Sequence, residues 1–115
     1  MTDTQTILKD LNKAPGIHQS LIVGRDGFVI ENAGDMDSDS VGAIISTALG
    51  AIEAMGKDCE QGNLFEVMAE YNNGIIIAAP IGKEAILGIV ADNNANLGGI
   101  RHAVKKNMKS LESII

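Results

Sequence analysis

Residues 74–91 read GIIIAAPIGKEAILGIVA, which is two apolar runs on either side of a polar turn at Gly82-Lys83-Glu84. The runs, Gly74 to Pro80 and Ala85 to Ala91, each have the length of a β-strand and carry almost no polar side chain. A strand that lacks polar–apolar alternation is covered on both of its faces. The sequence therefore predicts two central strands in a sheet that has helices on both sides.

Three further strands are predicted around this pair. Asn63 to Tyr71 precedes the first apolar run and is joined to it by Asn72-Asn73-Gly74. An Asn-Gly pair between apolar runs predicts a tight hairpin with positive φ at the turn positions. Nearer the N-terminus, Ile17 to Val23 and Phe28 to Glu31 flank Gly24-Arg25-Asp26-Gly27, a pattern typical of a second hairpin.

Three segments carry apolar residues at helical spacing. They are Thr4 to Lys13, with Asp3 or Thr4 as cap, then Ser38 or Ser40 to about Cys59, and a last helix after Asn93 to Asn96. The resulting order is helix, two strands, helix, three strands, helix. It predicts an α/β (α+β) protein: a three-layer α/β/α sandwich around a five-stranded antiparallel sheet, as one domain over residues 1–115.

Composition bears on the partners and the location of the chain. The 115 residues have a formal net charge of -6 and 3% aromatic residues, which disfavours binding to nucleic acid. No apolar run approaches the ~20 residues of a membrane span, so no membrane insertion is expected. Met1-Thr2-Asp3 lacks the start of a signal segment. We expect a soluble, cytoplasmic protein.

Catalytic, metal-binding and cofactor-binding patterns are not recognised in the sequence. His18 and His102 fall in different elements and are expected at the surface or in satisfied positions. The single Cys59 is expected to be small and buried, since a helix C-terminus and neighbouring acids do not activate a thiol. Gly82-Lys83 is followed by Glu84 in a hairpin and does not match a phosphate-binding loop. We predict that the chain is not an enzyme.

Self-association is predicted from one strand and one helix. Leu64 to Tyr71 can lie at a sheet edge, which is open to pairing with another chain. Small residues recur every fourth position in the middle helix, and each helical glycine costs about 1 kcal/mol relative to Ala, which suggests close approach of another backbone. We therefore predict a two-fold dimer. Its interface residues are Gly42, Ile45 and Leu49 on the helix and Leu64, Glu66, Met68 and Glu70 on the strand.

Four stretches carry a family resemblance. They are Ala14-Pro15-Gly16-Ile17, the strand and turn from Leu21 to Gly27, the helix from Val41 to Leu49, and the apolar meander with Asn73-Gly74. With the element order, they make the sequence similar to the Roadblock family, which includes dynein light chains of the Roadblock type.

This resemblance implies homodimers, or pairs with a paralogous Roadblock-like chain, that lack catalytic residues and cofactors. It implies a small Ras-like GTPase as partner, which the dimer binds and regulates or scaffolds. Arg25 lies in a turn and is expected outside the helix surface involved. A structural adaptor of the dynein light chain kind and a small-molecule sensor domain are the alternatives. The partner-binding surface implied for this sequence comprises Ser46, Gly50, Glu53, Ala54 and Lys57.

Overall fold

The structure, a computed structural model, describes residues 3–115. Its elements are α1 (Thr4–Leu11), β1 (Ile17–Gly24), β2 (Val29–Ala33), α2 (Asp39–Asp58), β3 (Val67–Tyr71), β4 (Gly74–Ile81), β5 (Ala85–Ala91) and α3 (Leu97–Ile114). The five strands form one antiparallel sheet in the order β2-β1-β5-β4-β3. The predicted fold class and element order are confirmed.

Helices α1 and α3 pack together on one face of the sheet. Alternate residues of β4 and β5 point to this face, so that each strand contributes a row of aliphatic side chains to the larger core cluster. Burial of each such Leu or Ile side chain contributes about 1.5–3 kcal/mol. The helices contribute Ile7, Leu8, Leu11, Ile100, Val104 and Leu111, and the strands Ile75, Ile77, Ala79, Ile81, Ala85, Leu87, Ile89 and Ala91.

Helix α2 covers the other face incompletely. It lies over β1, with β2 and β5 to either side, and its core cluster comprises Ile45, Leu49, Ala78 and Ile86. The outer half of this face is less covered, since side chains of β3, β4 and β5 remain partly accessible to solvent. These half-buried residues are Val67, Ala69, Ile76 and Val90, all on the α2 side of the sheet.

The start of β3 differs from the predicted one. The strand begins at Val67 and not at Asn63, and Val67 pairs with Ala78 of β4. Continuing this antiparallel ladder would place Phe65 opposite Pro80. Proline has no N–H to donate to a sheet, so the ladder ends before that pair and residues 63–66 leave the edge of β4.

The turn between β3 and β4 also differs from the prediction. Tyr71 pairs with Gly74, so Asn72 and Asn73 form the loop. Among residues 3–115, Glu60 is the one non-glycine residue with positive φ, and the expected positive φ at the Asn-Gly positions is therefore wrong. Gly74 has another role: a Cβ there would lie 2.8 Å from the carbonyl oxygen of Ala91.

The helix ends follow local capping, with one exception. The Asp3 carboxylate accepts a hydrogen bond from the Thr6 N–H at 2.8 Å, which confirms it as the cap of α1. Ser38 is the N-cap of α2 but makes no side-chain cap bond.

Cys59, at the C-cap of α2, is exposed, so its predicted burial is wrong. The buried residues of α2 end at Leu49, and its last turns lie beyond the tightly packed contact with the sheet.

Candidate functional site

Helix α2 presents three differently composed faces, and the first is turned toward its own sheet. Gly42, Ile45 and Leu49 are the buried residues of the helix. A Cβ on Gly42 would lie 2.9 Å from Cγ2 of Val29, so the close approach that this glycine permits is to the chain's own β1–β2 hairpin. These three residues, predicted at a dimer interface, are buried within the protomer.

An apolar flank lies on one side of the buried residues Gly42, Ile45 and Leu49. We define it as Ile44, Ala48, Ile52 and Met55, which helical geometry places along one side of α2. Ile44 is 65% exposed and Met55 60% exposed, while Ile52 is half-buried. Val41, on the same side of the helix, packs in the cluster that contains Val67 and Ala78. The apolar flank therefore extends along the side of α2 on which Val41 packs in the core.

A polar flank lies on the other side of these buried residues. We define it as the five residues that the family resemblance implied for partner binding: Ser46, Gly50, Glu53, Ala54 and Lys57. Gly50, Ala54 and Lys57 are exposed, and Ser46 and Glu53 are half-buried. A Cβ on Gly50 would meet no atom within 4 Å, which leaves the helix backbone accessible at this point. The structure brings all five residues onto one surface of α2.

Arg25 joins this polar flank through an ion pair. Its guanidinium donates two hydrogen bonds to the Glu53 carboxylate, with Nη2 and Oε2 3.1 Å apart, and the two side chains are 30% and 27% exposed. Hydrogen bonding from Arg25 lowers the pKa of Glu53 below its ordinary value of 4.5. Arg25 lies in a turn, as expected, but its side chain reaches the helix surface from which it was excluded. No sequence spacing links Arg25 to Glu53, since the docking of the β1–β2 turn on α2 creates the pair.

The strand residues predicted at the dimer interface fall in different environments. β3 is an edge strand, as expected, but only Met68 and Glu70 belong to it. Met68 packs against the α1–α3 side of the core, and Glu70 is exposed. Leu64 precedes the strand and is half-buried beside the α2 cluster. Glu66 accepts a hydrogen bond from Nε of Arg101 in α3 at 3.4 Å.

Titratable side chains are spread over the described surface. Within residues 3–115, no three or more His, Cys, Asp or Glu side chains converge as a metal site. His18 pairs with Asp92 at the exposed start of β1, and His102 is exposed on α3. No helix in this part of the chain has both the length and the apolar character that crossing a membrane requires.

The comparison with known proteins concerns nearly the whole chain. The sequence model of the Roadblock/LC7 domain matches residues 3–91, from the cap of α1 to the end of β5. The chain belongs to the Roadblock/LC7 family. It is also 36% identical over 110 residues to the uncharacterised protein MJ1340 of Methanocaldococcus jannaschii, a match that covers 94% of this chain and 96% of that protein.

Solved structures share the fold of this Roadblock/LC7 chain. A Roadblock/LC7 domain from Streptomyces avermitilis superposes with a TM-score of 0.90 at 17% identity and covers 97% of both chains. MglB from Myxococcus xanthus superposes with a TM-score of 0.89 at 20% identity, over 99% of this chain and 92% of that one. The likeness extends through α3, which lies outside the residues matched by the family model.

Proposed function

We propose that this Roadblock/LC7 chain forms a two-fold dimer, and that the dimer binds and regulates or scaffolds a small Ras-like GTPase. The observation that carries the proposal is the presence of two chemically different exposed flanks on α2. The apolar flank suits a permanent interface with a second Roadblock-like chain, whereas the polar flank suits transient binding of another partner.

The proposed dimer joins the edge strands. A two-fold axis that sets β3 antiparallel to its copy would continue the sheet across both protomers. The same operation would bring the two α2 helices side by side and cover the apolar flanks, Ile44 and Met55 included, together with the half-buried outer part of the sheet. The second chain is either another copy or a paralogous Roadblock-like chain.

The proposed GTPase surface is the polar flank. In a two-fold dimer this surface occurs twice, once on each α2. Arg25 and Glu53 are joined by two hydrogen bonds and therefore present an ion pair of fixed position, while Gly50 allows another backbone to approach α2 closely. The chain would act through shape and charge and supply no catalytic group, as the family resemblance implies.

The test uses the purified chain as bait in native cell extract, with either a non-hydrolysable GTP analogue or GDP present. We expect recovery of a small GTPase mainly in the arm with the GTP analogue, because a regulator distinguishes the two nucleotide states. Lys57→Glu, on the polar flank, should abolish recovery. Lys106→Glu, at an exposed lysine of α3 far from this flank in the sequence, is the matched control.

The outcome also separates the proposal from the alternatives. Recovery of a non-GTPase protein equally in both arms would replace the GTPase proposal with the adaptor role. Equal recovery of a GTPase in both arms would leave scaffolding without nucleotide sensing. Recovery that persists with Lys57→Glu would show that the polar flank is not the binding surface, and equal loss with Lys57→Glu and Lys106→Glu would indicate general electrostatic attraction.

A further inference from the structure

A groove of about 1160 Å³ opens where residues 63–66 leave the edge of β4. Its lining comes from residues 63–66, the last turns of α2, the end of β4 with the β4–β5 turn, and one side of α3, together with Arg25 of the β1–β2 turn. Its lining includes Glu53 and Lys57 of the polar flank and Glu112 of α3. The interruption of the β3–β4 ladder at Pro80 thus leaves a concave surface at this corner of the molecule.

The groove is positively charged although the chain is acidic. Two of its carboxylates are already paired, Glu53 with Arg25 and Glu66 with Arg101. Lys57, Lys83 and Lys105 form no ion pair within 4 Å in the part of the chain that the structure describes. Its cations are Arg25, Lys57, Lys83, Arg101 and Lys105, against the carboxylates Glu53, Glu66 and Glu112. A local excess of positive charge therefore stands in a chain of net charge -6.

Apolar side chains line the same groove as these cations. The apolar lining comprises Leu64, Val104, Met108 and Phe65. The surface of Phe65 is 89% exposed. An aromatic side chain left this open makes little contact with its own chain and offers a large apolar area to a ligand. The groove therefore combines unpaired ammonium groups with an apolar contact.

We propose that this groove binds an acidic peptide segment that carries apolar side chains. Carboxylates of the segment would pair with Lys57, Lys83 and Lys105, and an apolar side chain would cover Phe65. A membrane surface or a nucleic acid would bring extended negative charge against the acidic remainder of the chain. A short segment stays within the groove and so avoids that repulsion. The acidic groups of the chain that lie more than about 8 Å from the segment are largely screened at physiological salt.

The test measures binding of fluorescein-labelled peptides to the full chain by fluorescence anisotropy. The probe EEDLFEDLEE is compared with EEDSSEDSEE, which keeps the charge without apolar residues, and with the charge-reversed KKRLFKRLKK. We expect the first to bind tightest, with affinity falling as salt rises from about 0.05 to 0.5 M. The double variant Lys83→Glu/Lys105→Glu should weaken binding roughly tenfold or more, since each reversal turns an attraction into a repulsion.

Matched controls decide between this proposal and general electrostatic attraction. Lys106→Glu/Lys109→Glu makes the same charge change on α3 outside the groove and should leave affinity nearly unchanged. Phe65→Ala should weaken binding, and Phe28→Ala, at another exposed phenylalanine, should not. The proposal is overturned if both double variants lose affinity equally, or if the charge-reversed peptide binds as well.

Two further arms test other anions. Vesicles of equal parts phosphatidylcholine and phosphatidylserine, and inorganic phosphate, should not displace the acidic probe; displacement by either would identify a general anion site and overturn the proposal. The experiment contains no GTPase, and Lys83 and Lys105 lie outside the polar flank. The result of the peptide experiment therefore does not depend on whether the proposed function is correct.

Discussion

Gly42 and Gly50 lie on the same helix in opposite surroundings. Gly42 is buried, and a Cβ there would press on Val29 Cγ2 at 2.9 Å. Gly50 is exposed, and a Cβ there would meet nothing within 4 Å. One glycine is thus required by packing inside the protomer, and the other has no structural requirement within it.

These surroundings predict opposite effects of the same substitution. Gly50→Ala should stabilise the chain by about 0.5–1 kcal/mol through helix propensity. Gly42→Ala should destabilise it by roughly 1 kcal/mol or more, because overpacking at Val29 outweighs the same gain in propensity. Urea unfolding of the two variants beside the wild type checks this. Equal stability of the two variants would contradict the assigned role of Gly42.

The Arg25–Glu53 pair predicts a pH-dependent contribution to stability. The pKa of Glu53 is lowered on folding by hydrogen bonding from Arg25, so the folded state binds this proton more weakly than the unfolded state does. The contribution is complete above the ordinary pKa of 4.5 and is lost as pH falls through the lowered folded value. Glu53→Gln should therefore cost about 0.5–1 kcal/mol near neutral pH and almost nothing in acid.

Urea unfolding of Glu53→Gln across the acidic range measures this difference. Glu112→Gln is the control, because Glu112 is exposed and forms no ion pair with the other described residues. A constant difference between wild type and Glu53→Gln at every pH would mean that packing, and not the charge, accounts for the effect.

At the scale of elements, α2 has a wider apolar arc than its own sheet covers. The buried residues of α2 occupy a narrow set of helical positions. The apolar flank widens the apolar arc with side chains that are exposed to solvent. A helix of a protomer that is complete by itself would carry polar residues there. The excess apolar surface fits the proposed contact with a second chain.

This excess predicts the effect of a charge placed on the apolar flank. Ile44→Glu should shift the proposed dimer toward monomer, since burial of an unpaired carboxylate in the interface is unfavourable. Thr47→Glu, at a neighbouring exposed position outside the flank, should leave association unchanged. Sedimentation velocity at micromolar concentration distinguishes the two. A monomeric wild type would contradict the dimer proposal itself.

Element boundaries were predictable where the signal is local. β5 has the predicted bounds, because an apolar run between polar turns needs no other information. The start of β3 depends on Pro80 in a neighbouring strand, and the loop Asn72-Asn73 depends on the pairing of Tyr71 with Gly74. These contacts between strands are not visible in either segment alone.

At the scale of the whole molecule, the sequence predicted the layers and the sheet but not how surfaces divide between core and solvent. Helical spacing predicted the helix, and only the position of α2 over β1 shows that Ile45 and Leu49 face inward while Met55 faces solvent. The ion pair of Arg25 with Glu53 likewise requires two distant segments to dock. The five predicted partner-binding residues share a surface because helical periodicity alone determines that grouping.

The central pairing of β1 with β5 has a consequence for how the chain folds. The β1–β2 hairpin and the β3–β4–β5 meander each form from neighbouring segments, but their union pairs Leu21 with Gly88 across most of the sequence. During synthesis, one edge of β1 in the β1–β2 hairpin therefore stays unpaired until β5 has left the ribosome. Closure of that long loop is expected to limit the folding rate and to leave the nascent hairpin dependent on protection from aggregation.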